Sequence, residues 1–165
     1  MLNRYCLIKN GVLKGIVGSR DFGRNNPYTP FVNRARRESH RKIATGRTYC
    51  LCLNKGSCSL PELLHLHKDA FIIGNLSNSY YDSKCNDVIL HSNDVYCFIN
   101  GVLKKAPVEI KIRQKGSVLL SKIIEISYER EYSEHMCFAS SGYVSNATLT
   151  PSIVLGDIKY RLYKK

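Results

Sequence analysis

The sequence predicts an all-β fold with a long basic arm or loop near its N-terminus. Three observations predict it. From Asp87 onward, short runs rich in β-branched and aromatic residues follow one another at close spacing. Asn-Gly pairs at Asn10-Gly11 and Asn100-Gly101 each sit between apolar runs, a strong short-range hairpin signal. Residues 18–46 show neither helical nor strand periodicity, contain Pro27 and Pro30, and are dense in arginine.

Taken in order, Tyr5–Ile8 and Val12–Leu13 flank the first Asn-Gly turn. Thr48–Leu53 is a short strand candidate. Ser59-Leu60-Pro61-Glu62 is a capping box with proline near the first helical position, which predicts a short helix over Leu60–His67. Residues 74–87 are rich in Asn, Ser, Asp and Tyr and read as a polar loop or insertion. Strand candidates follow at Val88–His91, Val95–Ile99, Val108–Arg113, Val118–Ser127, His135–Ala139, Tyr143–Leu149 and Ile158–Tyr163. Val108, Ile110 and Ile112 alternate with Glu109, Lys111 and Arg113, so one face of that strand is apolar. Strands this short and this closely spaced suggest a small barrel. Lys104–Pro107 is the natural place for a domain boundary.

The 165 residues carry a formal net charge of +12. Residues 1–50 hold eleven Lys/Arg against Asp21 and Glu38, whereas the remainder nearly balances. Arg34, Arg36, Arg37, Arg41 and Lys42 lie within nine residues, beside His40. Guanidinium groups this dense repel one another, and their planar donor forks match phosphate oxygens, so a polyanion is the expected contact. No segment approaches the roughly 20 apolar residues of a spanning helix, so no membrane insertion is expected. Seven cysteines is an odd number, and no secretory signal is legible at Met1–Cys6; both favour free thiols in a reducing compartment.

Chemistry-bearing patterns are sparse. Cys50-x-Cys52, Cys58, His65 and His67 offer soft metal donors, but CxC spacing matches no standard zinc finger, and no metal or other cofactor is expected. His65, His67 and Tyr81 loosely resemble the metal-binding histidines and nucleophilic tyrosine of rolling-circle nucleases. Glu129-Arg130-Glu131 reads as a charged turn between two strands. The chain contains no GxSxG, P-loop or dinucleotide glycine signature, and the expectation is that it is not an enzyme.

Several pieces, read in order, resemble large-subunit ribosomal protein two, in a divergent mitochondrial-type form. Gly23-Arg24-Asn25-Asn26 is followed by Val32 and then by His40-Arg41-Lys42, as in that family's RNA-binding region. Gly116 through Ile126, Phe138 through Leu149 and Leu155 through Arg161 are similar to its later strands and hairpin. The basic loop lacks the family's glycines, and the family's peptidyl-transferase-facing C-terminal segment is not found. The resemblance implies an OB-type small barrel over residues 1–104 and an SH3-like barrel over 105–165, with a basic arm at 18–46 and an insertion at 50–85. It further implies a structural constituent of the large ribosomal subunit. Ribosomal RNA and neighbouring ribosomal proteins would be its partners, with a separate chain possible for the missing segment. Its RNA-binding residues would be Arg24, Asn25, Asn26, Arg34, Arg36, Arg37, His40, Arg41, Lys42, Lys122, Ser140 and Ser141. The implied location is the mitochondrial matrix, with an organelle-encoded gene as one source, and otherwise the cytoplasm. Two other readings compete: a metal-dependent single-strand nuclease or replication initiator using His65, His67 and Tyr81, and a stand-alone OB-type binder of single strands.

Overall fold

A computed structural model describes residues 4–19, 31–99 and 101–164. Strand dominates, and the described residues contain two short helices. None of these helices is long and apolar enough to cross a membrane. The chain divides into two compact units. One is Met1–Asn54 with Arg130–Thr150; the other is Lys55–Glu129 with Pro151–Lys165. The expected divide near Lys104–Pro107 therefore falls inside the second unit, and residues 55–85 form part of that same unit.

In the first unit, β1 (Ile8–Lys9) and β2 (Val12–Leu13) pair across the Asn-Gly turn. Asn10 has φ 51° and Gly11 has φ 72°, the two positive values a type I′ turn requires. β3 (Ile16–Gly18) runs parallel to β4 (Phe31–Asn33), with Ile16 opposite Phe31. β5 (Ala35–Arg36) and β6 (Thr45–Gly46) then form a small antiparallel hairpin. The basic stretch is thus pinned at both ends by strand pairing and is not a free arm in its described part. β7 (Cys50–Cys52) lies parallel to Ala147–Leu149 of β15 (Gly142–Leu155). The buried set here is small and partly polar: Val144, Ala147, Arg47 and Ser141.

The second unit opens with α1 (Leu60–Leu66), whose capping box is fully formed. Ser59 Oγ accepts from the Glu62 backbone N–H, and the Glu62 carboxylate accepts from the Ser59 N–H at 2.6 Å. Leu63 is its buried residue. β8 (Phe71–Ile73), β11 (Val95–Ile99) and β12 (Val102–Lys105) form one sheet in the order β12-β11-β8. The second Asn-Gly signal thus lies in a hairpin, with Ile99 opposite Val102 and Gly101 at φ 77°; Asn100 itself is outside the described residues. β9 (Tyr80–Asp82), β10 (Asp87–Ser92), β13 (Val108–Lys115) and β16 (Tyr160–Lys164) form a second sheet, ordered β16-β13-β10-β9. Ile110 and Ile112 are buried while Lys111 and Arg113 are exposed, so the alternation along β13 is realised. Ile89 and Val95 complete this core.

Three expectations need correction. The sheets are open at their ends among the described residues, so no closed barrel forms, whether of OB or SH3-like type. Gly116–Ser121 is a helix, α2, and the strand expected from Val118 begins only at Ile123. Glu129-Arg130-Glu131 is not a turn. It lies inside β14 (Ile123–Ala139), 17 residues long and exposed over most of that length. Charged residues are compatible with a strand when both faces meet water, and that removes the alternation on which strand reading depends.

Candidate functional site: an anchored basic hairpin and its neighbouring cavity

The connection from β5 to β6 carries the densest described part of the basic stretch. Its geometry begins at Arg36, on β5. One guanidinium nitrogen donates to the carbonyls of Thr48 at 3.0 Å and Ser145 at 2.6 Å; the other donates to Ser145 Oγ at 3.3 Å. The group also lies 4.0 Å from the Tyr49 ring centroid, a cation–π distance. Arg36 is therefore an internal brace. Arg34 is half-buried and lies 5.4 Å from the Tyr5 ring centroid.

Arg47, just past β6, was not singled out from the sequence. Its side chain is only 8% exposed. It donates to Ser141 Oγ at 2.8 Å, to the Cys137 carbonyl at 2.5 Å and, more weakly, to the Gly142 carbonyl at 3.5 Å. Ser141 is fully buried as its acceptor and offers no surface to a nucleic acid. Glu38 faces the same place. Its backbone N–H donates to the Ser141 carbonyl at 2.9 Å, and its carboxylate accepts from the Tyr143 N–H at 3.3 Å. Gly142 has φ 86°, and a Cβ there would collide with the Glu38 carboxylate, so glycine is required twice over.

Beyond these anchors, Arg37, His40, Arg41, Lys42 and Ile43 are exposed. A turn closes the loop, the Lys42 N–H donating to the Ser39 carbonyl at 3.1 Å. Beside the brace lies a cavity of about 200 Å³ lined by Arg36, Tyr49, Tyr132, Glu134, Ser145 and Asn146. Tyr132 Oη donates to Glu134 at 2.6 Å, and that carboxylate raises the phenol pKa.

The other expected site residues are dispersed. Arg24, Asn25 and Asn26 lie outside the described residues. Lys122 follows α2 and sits 3.9 Å from Asp157, within an ion pair. Ser140 is exposed in the turn between β14 and β15. His65 is exposed on α1, and His67 Nε2 shares a 2.6 Å hydrogen bond with Glu125. Tyr81 Oη donates to Asn86 at 2.7 Å. These contacts leave His67 and Tyr81 hydrogen-bonded to other partners. A second cavity, of about 360 Å³, is in the second unit and is lined by residues including Tyr80, His91, Glu109, Lys111 and Tyr163. There His91 Nε2 lies 3.2 Å from Glu109.

Residues 2–161 match the model of the PmbA/TldA metallopeptidase C-terminal domain. The chain belongs to this family. The crystal structure of TldE from Thermococcus kodakarensis shares the fold, with a TM-score of 0.74 at 18% identity over 93% of this chain and 33% of that one. The chain thus spans about a third of that protein's length. Comparison with curated proteins gives no match.

Family membership overturns the ribosomal reading, together with its rRNA and ribosomal-protein partners and its role in translation. It overturns the two alternatives, nuclease and stand-alone OB binder, as well. The expectation that the chain is no enzyme is likewise corrected: the family it belongs to is one of metallopeptidases.

That family name implies a metal, and the donor set can be tested against it. Among the described residues no three of His, Cys, Asp and Glu converge as a metal site. Cys50 and Cys52 on β7 come closest for soft donors, with Sγ atoms 3.6 Å apart. Loss of water contact and the neighbouring Cys52 thiol both raise the Cys50 pKa. Cys58 belongs to the second unit, where its backbone pairs with that of Ser127 in an isolated parallel β-bridge. A pair falls short of the three protein ligands of a catalytic zinc site. The described residues of this chain do not by themselves fit the implied metal.

Proposed function

We propose that the chain is a peptide-holding C-terminal domain of a metallopeptidase-family protein. The carrying observation is the family match across residues 2–161. In this reading the metal chemistry depends on groups outside the described residues, and this domain supplies binding surface. The braced hairpin and cavity of the first unit support it, since Arg36, bonded to Thr48 and Ser145 and stacked on Tyr49, holds one wall of a concave patch that Tyr132, Glu134 and Asn146 also line. Rigid anchorage lowers the ordering cost of binding. The test is fluorescence anisotropy with labelled unstructured peptides of mixed composition, titrated with the 165-residue chain. Saturable binding is expected, and it should weaken in an Arg36→Ala variant whose circular dichroism is unchanged. If no peptide binds at millimolar protein, the reading is wrong.

A further inference from the structure

We propose that the loop between β5 and β6 recognises acidic peptide segments that carry an apolar side chain. The inference rests on the peptide-holding reading and names its ligand chemistry. Within the loop, the one acid, Glu38, is exposed but bonded away from the turn: its carboxylate accepts from the Tyr143 N–H at 3.3 Å, and its own N–H donates to the Ser141 carbonyl. Arg37, His40, Arg41 and Lys42 are exposed. Among the described residues, none of these four takes part in an ion pair. Unpaired cations gathered on one short turn repel one another, and an anionic ligand relieves that repulsion.

Ile43 adjoins these cations and is 80% exposed, the most exposed of the protein's large apolar residues among those described. An isolated surface isoleucine is unremarkable, but here it stands at the edge of a cationic turn and supplies an apolar contact. Cations beside one apolar side chain complement a peptide in which Asp or Glu residues flank a Leu, Ile or Phe. A phosphate backbone has no use for the isoleucine. The loop is also presented rigidly. Ala35 pairs with Gly46 and Arg36 with Thr45 at its base, Arg36 is hydrogen-bonded three ways, and Gly142 admits the Glu38 carboxylate. Little order has to be gained when a ligand arrives.

The test uses the 165-residue chain and anisotropy with four probes: a labelled Asp/Glu dodecapeptide containing one leucine, the same peptide with serines in place of the acids, an oligouridylate of equal charge, and vesicles of mixed phosphatidylcholine and phosphatidylserine. The acidic peptide is expected to bind at least about tenfold more tightly than the serine peptide and to weaken as salt rises. An Arg37→Ser, Arg41→Ser, Lys42→Ser triple variant is expected to lose at least about fivefold. Lys84→Ser, Lys104→Ser, Lys159→Ser, which removes the same charge from exposed positions elsewhere, is expected to lose little. Ile43→Ser is expected to weaken the leucine peptide and to leave a leucine-free acidic peptide unchanged. If the serine peptide binds as tightly as the acidic one, the inference fails while peptide holding stands. Equal affinity for oligouridylate or vesicles, or an equal loss in the control variant, also overturns it. If none of the peptides binds, both readings fall.

Discussion

Arg47 shows how charge and burial separate at the level of a single residue. A guanidinium placed among carbonyls exchanges water for fixed dipoles, and its neighbours come to depend on it as their donor. Arg47→Ala would orphan Ser141 Oγ and the Cys137 carbonyl, with the Gly142 carbonyl as a weaker third. The expected loss is about 2–3 kcal/mol, at roughly 1 kcal/mol for each acceptor. It is measured as a shift in the guanidinium-chloride unfolding midpoint at constant slope. Arg47→Lys should recover only part of it, because one ammonium cannot reproduce a planar fork. A shift of Arg47→Ala below about 0.5 kcal/mol would show that water fills the vacancy. Sequence alone marked Arg36 and Ser141 as surface contacts for a polyanion and passed over Arg47. The reason is physical: composition reports where charges are, whereas pairing across more than 90 residues decides which become buried. Arg37, His40, Arg41 and Lys42 are legible as surface cations, because among the described residues no ion pair captures them.

Elements written in local chemistry were the readable ones. The capping box at Ser59–Glu62 and the Asn10-Gly11 turn are each complete within four residues, so the sequence carries their whole cause. The parallel pairings of β3 with β4 and β7 with β15 have no such local signature, and α2 lies in a run of aliphatic residues that suits a strand equally well. The pairing of β10 with β13 is partly electrostatic at its edge, where Arg113 Nε donates to Asp87 at 2.7 Å. That hydrogen bond holds the Asp87 carboxyl below its ordinary value, and Lys105 does the same for Asp94. A depressed folded pKa stabilises the fold above the unfolded value, near pH 4, and the contribution is lost as pH falls through the folded value. The denaturant midpoint is therefore expected to drop as pH is lowered below about 4. Asp87→Asn should lower the midpoint at pH 6 and make the acid decline shallower, with Asp94, Asp82 and Glu62 among the groups supplying what remains. A decline of unchanged depth in Asp87→Asn would remove this carboxylate from the account. The shift is read as a slope, because these groups face solvent and salt screens them.

Across the whole chain, the order of elements matters more than their identity. The two compact units are interleaved: the chain passes from one to the other after Asn54, after Glu129 and after Thr150. A reading that looks for consecutive domains places a cut at the turn-rich Lys104–Pro107, and by that logic residues 1–104 and 105–165 would each fold. The pairings argue otherwise. A fragment of residues 1–104 lacks β13, so β10 loses the partner that matches it from Asp87–Lys115 to Ser92–Ile110. It also lacks Ala147–Leu149, the parallel neighbour of β7, and the Ser141, Gly142 and Cys137 acceptors of the Arg47 guanidinium. The complementary fragment keeps the pairing of β13 with β16 but leaves Ile110 and Ile112 without Ile89, Val95 and Leu63 to complete their core. Both fragments expose strand edges and apolar side chains that native pairing covers. Each is therefore expected to show collapsed amide dispersion in a proton–nitrogen NMR spectrum, while the 165-residue chain gives a dispersed spectrum and a cooperative melt. Mixing the two fragments should restore dispersion in part, since the missing strands are then present in trans. If residues 1–104 alone gave a dispersed spectrum with slow exchange along β10, the interleaved assignment would be wrong and a consecutive two-domain chain would replace it.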